Sequence, residues 1–147
     1  MTEKTILIAA DHAGFPMKTS LITHLQDRGF TVVDLGTDST ESVDYPDYGH
    51  KAAKALLDGV APMGVVICGT GIGISISANR FKGIRCALCH NAEFAALARQ
   101  HNDANILALP GRFVTAEQAN AIADAFIDTA FEGGRHQNRV LKIDQPQ

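Results

Sequence analysis

The chain has 147 residues, of which 46% are apolar and 20% charged, and its formal net charge at pH 7 is −3. These values are typical of one soluble globular domain, and since no basic block occurs they argue against a nucleic-acid partner. Because no apolar run reaches the length of a membrane span and the first residues lack a signal-peptide pattern, we expect a cytoplasmic protein without a membrane partner.

Apolar runs alternate with helix-like patterns along the whole chain. The apolar runs predict five strands, over residues 5–11, 30–36, 64–69, 83–89 and 105–110. Helices are predicted between and after them, from Pro16 to about residue 28, from about 47 to 57, from the glycine-rich segment onward, over 91–101 and over 115–131. Nearly continuous apolar strands that alternate with helices indicate a parallel sheet covered on both faces.

The three cysteines do not suggest a disulfide framework. Two of them stand in "CALCH" (86–90), which matches the haem-attachment pattern C-x-x-C-H. In the predicted fourth strand, however, Cys86 and Cys89 are three residues apart and point to opposite faces, so they cannot hold one haem. We expect both to be core residues.

A glycine-rich loop, G-T-G-I-G, follows the third predicted strand at residues 69–73. Ile74 stands where a dinucleotide fingerprint has its third glycine, and the lysine of a P-loop is missing, which argues against a nucleotide site. The exposed N–H groups of such a loop still suit an oxyanion, including one that forms during a reaction. The alternative is a tight turn that only lets the helix approach the sheet.

Cys68 ends the strand that leads into this loop. A cysteine at the end of a buried strand is most often a small core residue. At a helix N-terminus, however, the thiolate is favoured and can act as a base or nucleophile. The sequence leaves both interpretations open.

Ligands of parallel sheets bind beyond the carboxyl ends of the strands, so residues after the strands are candidate site residues. Arg135 and Arg139 in the tail are four residues apart and would share one face of a helix, where they could bind a phosphate. An ordinary solvated face is the alternative. No metal-binding motif occurs, so we expect no metal site.

Five segments together resemble the ribose-5-phosphate isomerase B family, which includes galactose-6-phosphate isomerase subunits and allose-6-phosphate isomerases. They are "DHAGF", "DYPDY", "CGTGIGISISANRFKGIR", "RQHNDANILALPGR" and "FEGGRHQNRV", and they cover nearly the whole chain. The resemblance implies a three-layer, Rossmann-like α/β sandwich with strand order 2-1-3-5-4. It also implies an aldose–ketose isomerase that needs neither metal nor cofactor and works through an enediolate.

The resemblance further implies a role for each candidate residue. The counterpart of Cys68 takes the proton next to the carbonyl, that of Thr70 shuttles protons between the two oxygens, and that of His101 opens the sugar ring. The other implied substrate-binding residues are Gly69, Gly71, Ile72, Gly73 and about Ser75 in the anion hole, Asp11 and Asn102 on hydroxyls, Tyr45 in the pocket wall, and His12, Arg112, Arg135 and Arg139 around the phosphate. One branch of the family has glutamate at the position of Ser75, so this chain resembles the branch that uses cysteine.

The leading hypothesis is therefore an isomerase of ribose 5-phosphate and ribulose 5-phosphate. An isomerase of a four-carbon or six-carbon sugar phosphate and a non-catalytic sugar-phosphate-binding protein are the alternatives. We expect one domain over residues 1–147 and a homodimer, or a dimer of dimers. The segment "EGG" predicts a flexible start for the tail, residues 132–147, which would leave its own domain and reach the partner; packing on its own chain is the alternative.

Overall fold

The computed structural model describes residues 4–147, which form five strands and six helices. The strands are β1 (Thr5–Ala10), β2 (Thr31–Asp34), β3 (Met63–Cys68), β4 (Cys86–Leu88) and β5 (Ile106–Pro110). The helices are α1 (Phe15–Asp27), α2 (Tyr45–Leu57), α3 (Ile72–Ala78), α4 (Ala92–Asn102), α5 (Ala116–Asp128) and α6 (Arg135–Ile143). None of these helices is both long and apolar enough to cross a bilayer.

All five strands run parallel in the order β2-β1-β3-β5-β4, which confirms the order that the family resemblance implied. The edge strands β2 and β4 are shorter than predicted, with four and three residues. At β4 the side chain of Asn79 takes the place of a neighbouring strand, because it accepts from the N–H of Cys86 and donates to its carbonyl at 2.8 and 2.9 Å.

Helices cover both faces of the sheet, and the chain therefore has three layers. Leu21 of α1 and Phe126 of α5 lie in the core of one face, and Ala52 of α2 and Ile74 of α3 in the core of the other. Since β1 leads into α1 and β3 into α3, the connections of these two adjacent strands diverge to opposite faces. Such a divergence opens a crevice at the carboxyl edge of the sheet, where ligands of this fold class bind.

The two cysteines of the haem-like pattern lie on opposite faces, as predicted. Cys89 belongs to the core that α1 and α5 cover, whereas Cys86 packs against the core of the other face. Burial raises the pKa of Cys89 to about 11 and that of Cys86 further still. Both are therefore core thiols with little thiolate near neutral pH.

The tail contacts its own chain, and its reach to a partner subunit stays a prediction. The N–H of Glu132 donates to the carbonyl of Gln100 in α4 at 3.1 Å, and Val140 of α6 is buried. At the end of α6, the carboxylate of Asp144 accepts from the N–H of Gly83 at 3.0 Å. These contacts fix both ends of the tail helix, so the glycines at 133 and 134 do not release it from its own domain.

Candidate active site

A cavity of about 480 Å³ lies at the carboxyl edge of the sheet, in the crevice between β1 and β3. It gathers nine of the residues predicted from the sequence, which come from four separate connections: Asp11, His12, Tyr45, Cys68, Gly69, Thr70, Ile72, Gly73 and Arg112. The fold therefore brings these nine residues to one cavity, and their roles in a reaction stay a prediction.

Cys68 and Asp11 stand on adjacent strands at the floor of the cavity. Ala10 of β1 and Ile67 of β3 are the last pair between these two strands. The residues that follow them, Asp11 and Cys68, therefore lie side by side at the end of the sheet. Both side chains are nearly buried, and Oδ1 of Asp11 accepts from the N–H of Gly14 at 3.0 Å. That bond fixes the carboxylate at the start of α1, beside the thiol-bearing strand.

The glycine loop turns sharply from β3 into α3. Gly71 caps the helix with φ of +75°, a conformation that favours glycine, and a Cβ there would stand 2.5 Å from Cδ1 of Leu88. Oγ1 of Thr70 accepts from the N–H of Ile72 at 3.1 Å. The first N–H groups of a helix have no partner within the helix. Apart from that of Ile72, which Thr70 engages, those of α3 present amide donors and a partial positive charge to the cavity.

Ser75 lies behind this loop rather than on the surface of the cavity. Its N–H donates to the carbonyl of Gly71 at 3.2 Å, and its hydroxyl donates to the carbonyl of Ile72 at 2.8 Å. Since both donors are engaged within the helix, the anion hole implied by the family resemblance ends before Ser75 in this structure.

Three side chains form the rim of the cavity. Nδ1 of His12 accepts from the N–H of Val43 at 3.1 Å, so the neutral ring carries its proton on Nε2. Tyr45 begins α2, and its ring lies against Gly73. The side chain of Arg112 runs beside Gly69, and its own N–H donates to the carbonyl of Gly69 at 3.0 Å. The rim thus offers a hydrogen-bond donor and a cation for an anionic substrate.

His101 and Asn102 lie at the opposite edge of the sheet from this cavity. They end α4, which runs back from the carboxyl end of β4 to the start of β5 at Ile106. From Ile106 to Pro110, the partner of Cys68, β5 advances about 13 Å at about 3.3 Å per residue. His101 therefore cannot reach Cys68 of its own chain.

His101 and Asn102 instead join the tail around a second cavity of about 340 Å³, which Arg139 also lines. Arg135, the first residue of α6, is exposed, as is Arg139. The sequence-based list of site residues is thus divided into two groups. The predicted elements could have indicated this division, because a helix that connects two parallel strands must end at the amino edge of the sheet.

The structure adds His136, which the sequence analysis did not single out. Its ring stacks on that of His101, with 4.4 Å between the centroids and 16° between the planes. Burial, followed by the positive charges of Arg135 and His101, lowers the pKa of His136. Its position in the tail, directly after Arg135 and three residues before Arg139, was the available signal.

His101, His136 and Glu132 form a group of side chains that could hold a metal ion. Their ligand atoms lie within 4.8 Å of one another. The sequence analysis predicted no metal site because it found no metal-binding motif, and His101 is distant in the sequence from Glu132 and His136. The fold brings them together.

The chain is similar to known proteins over nearly its whole length. The family model described as ribose/galactose isomerase matches residues 6–143. Ribose-5-phosphate isomerase B of Escherichia coli (strain K12) is 48% identical over 140 residues, which are 95% of this chain and 94% of that protein. The solved structure of a ribose 5-phosphate isomerase from Thermotoga maritima has a TM-score of 0.95 at 51% identity, covering 97% of this chain and 98% of its own.

A further solved structure carries a ligand. Ribose-5-phosphate isomerase B from Mycoplasma genitalium, solved with bound ribulose-5-phosphate, has a TM-score of 0.90 at 43% identity. The match covers 96% of this chain and 94% of that one.

Proposed function

The chain belongs to the ribose/galactose isomerase family, and we propose that it interconverts ribose 5-phosphate and ribulose 5-phosphate through a cis-enediolate. One observation carries the proposal: the cavity at the carboxyl edge joins a thiol, a hydroxyl and the amide donors of a helix N-terminus. This set can remove a proton from carbon and stabilise the oxyanion that results. Relatives named as ribose-5-phosphate isomerase B, one of them holding ribulose-5-phosphate, support the choice of sugar.

Cys68 is the base in this scheme. The thiolate takes the proton from C2 of the aldose, the C2–H electron pair forms the C1=C2 bond, and the carbonyl pair moves to O1. The hydroxyl of Thr70, at the mouth of the same cavity, then carries the proton from O2 to O1, which leaves the negative charge on O2. The electron pair on O2 forms the C2=O bond while the C1=C2 pair takes the proton back from Cys68 at C1, which yields the ketose.

The glycine loop stabilises the enediolate. The negative charge develops on O1, and the N–H groups at the start of α3 are fixed before the reaction begins, so no reorganisation is needed when the charge forms. The φ of Gly71 and the contact of Gly73 with Tyr45 hold this loop in place. Backbone amides thus stabilise the negative charge that a metal ion stabilises in other isomerases.

We infer that a second copy of the chain completes the site. His101, Asn102, Arg135 and Arg139 serve no purpose for the reaction at the amino edge of their own sheet, about 13 Å from Cys68 along β5. Across a two-fold axis, the same group meets the partner's cavity, and both sites are completed at once. His101 then opens the sugar ring, Asn102 holds a hydroxyl, and the two arginines join Arg112 and His12 around the phosphate.

The assembly is accordingly a homodimer whose tail helix serves the partner's site while it packs on its own chain. Ile72 and Ile76 lie one turn apart on α3 beside the cavity and are half exposed, which suits such an interface. All three cysteines are free, as is typical of proteins in a reducing compartment, and we place the enzyme in the cytoplasm.

Turnover of a panel of aldose and ketose phosphates with four, five and six carbons tests the proposal. We expect ribose 5-phosphate to have the highest kcat/KM, and Cys68→Ala to remove the activity while the variant still binds ribose 5-phosphate. Cys86→Ala and Cys89→Ala are matched controls and should retain near wild-type turnover. Activity should also survive prolonged chelation. A six-carbon substrate with higher kcat/KM would reassign the sugar, and full activity of Cys68→Ala would overturn the mechanism.

A further inference from the structure

We propose that His101, Glu132 and His136 form a binding site for a transition-metal ion such as Zn²⁺, and that the bound ion inhibits the enzyme. The inhibitory part rests on the role of His101 in the proposed function. The binding part rests on geometry alone, since the three ligand atoms lie within 4.8 Å of one another.

Two of the three ligands already stand at nearly the right spacing. Nε2 of His136 and Oε1 of Glu132 are 3.6 Å apart, beyond hydrogen-bond distance. Ligand atoms at about 2.1 Å from a tetrahedral zinc stand about 3.4 Å from each other. His101 is only half buried, so rotation of its side chain can close the remaining distance.

Nε2 of His136 is a buried polar atom that lacks a hydrogen-bond partner among residues 4–147. The side chain is 7% exposed, so solvent does not readily satisfy it. Buried polar atoms normally have partners, and a lone exception requires an explanation. A bound cation between this nitrogen and the Glu132 carboxylate would satisfy both groups.

The ligand set fixes the class of ion. Two imidazoles and one carboxylate with an open fourth position are a common zinc arrangement, and imidazole also suits Cu²⁺, Ni²⁺ and Co²⁺. The cavity of about 340 Å³ beside His101 and His136 leaves room for water or substrate at the fourth position.

Arg135 and Arg139 oppose the binding of a cation, because their charges act on His136. Both guanidinium groups are exposed, so salt screens this repulsion in part. We therefore expect an exchangeable ion that EDTA removes, in contrast to the tightly held ion of a structural zinc site.

The bound ion would act on the reaction through His101. Ring opening requires a nitrogen lone pair that accepts and returns a proton, and coordination to a metal occupies that lone pair. Zinc would therefore slow the turnover of ring-forming sugar phosphates and leave the thiol of Cys68 untouched.

Calorimetric titration of the chain with Zn²⁺ alone, and the visible spectrum with Co²⁺ alone, test the binding part. Wild type should bind one ion per chain, and Glu132→Gln should weaken binding by at least about tenfold. His24→Gln is the matched control, because His24 also faces a carboxylate, at 2.8 Å from Asp124, without a third ligand. Equal affinity in wild type and Glu132→Gln, or no binding at all, would overturn the site.

Assays with added Zn²⁺ test the inhibitory part. Zinc should inhibit wild type reversibly, whereas Glu132→Gln should keep its own rate at the same zinc concentration. The alkylation rate of Cys68 should not change with zinc; a slower rate would assign the inhibition to the thiol and overturn this part. Zinc binding without inhibition would also overturn the inhibitory part. If the chain lacks isomerase activity, the proposed function fails while calorimetry still decides the metal site.

Discussion

The ring of Tyr45 lies so close to the backbone of Gly73 that a Cβ on Gly73 would stand 2.5 Å from Cε1 of the ring. Gly73→Ala should therefore displace Tyr45 from the wall of the cavity, although it keeps the backbone N–H of residue 73. Because this displacement opens the wall of the cavity, we expect kcat/KM for ribose 5-phosphate to fall about tenfold or more, which corresponds to about 1.4 kcal/mol of lost transition-state stabilisation.

Tyr45→Ala supplies the control for this prediction. In the Tyr45→Ala background the added methyl group meets no ring, so Gly73→Ala should change kcat/KM little. Steady-state kinetics of the four proteins measure the coupling. A loss in the double variant as large as the two single losses combined would show that the contact is not the cause.

The three cysteines should differ sharply in reactivity. Burial raises the pKa of Cys89 to about 11 and that of Cys86 further, so both are almost entirely protonated at about pH 8. Iodoacetamide should modify the native chain once, at Cys68, and ribose 5-phosphate should protect that residue. Peptide mass spectrometry after timed labelling provides the measurement, and comparable labelling of Cys89 would contradict the assignment.

His101→Asn should distinguish ring opening from proton abstraction at carbon. Five-carbon sugar phosphates exist largely as closed rings, which an acid–base group must open before Cys68 can act. We expect the variant to lose far more kcat on ribose 5-phosphate than on a four-carbon sugar phosphate that cannot close the same ring. Equal losses of kcat on both substrates would show that His101 does not act by opening the ring.

His136 should make the free energy of unfolding depend on pH. Because its pKa is lowered in the folded chain, the unfolded chain takes up a proton at this site at a higher pH than the folded chain does. The contribution to stability is therefore complete above about pH 6.5 and is lost as the pH falls below that value. The stability of His136→Gln should accordingly fall less than that of wild type between about pH 7 and pH 5.

Urea midpoints of both proteins at a fixed protein concentration measure this difference. Besides Arg135 and His101, the charge of Arg139 lowers the pKa of His136 and that of Glu132 raises it. His90→Gln, the same substitution at an exposed histidine, serves as the matched control. If His136→Gln lost more stability than wild type toward low pH, the pKa of His136 would not be lowered by folding.

Much of the fold followed from local patterns. The run of apolar residues at β3 and the glycines after it predicted both the strand and the sharp turn into α3, because few other structures accommodate that sequence. The opposite faces of Cys86 and Cys89 followed from the period of a strand. The edge strand β4 was predicted too long, because the apolar run of residues 83–89 extends beyond the three residues that pair with β5. On its open side, Cys86 pairs with the side chain of Asn79 instead of a strand.

The candidate site was harder to predict because its residues are distant in the sequence and meet only through the fold. The resemblance identified His101 and Cys68 as members of one site, whereas α4 runs back from β4 to the start of β5 and so places them at opposite edges of one sheet. The contact of His136 with His101 depends on how α6 packs against α4, which no local pattern encodes. The contacts of Val140 and Asp144 with the chain's own domain were likewise not encoded locally, because the glycines before the tail indicated only flexibility.

A subunit-mixing experiment tests the central claim, that one active site takes Cys68 from one chain and the group around His101 from another. Cys68→Ala subunits are mixed with Arg135→Ala/Arg139→Ala subunits, each inactive alone, and subunit exchange is verified by native mass spectrometry. Random exchange makes half of the dimers mixed, each with one intact site of two, so about a quarter of wild-type activity should return. No recovery despite verified exchange would contradict the claim.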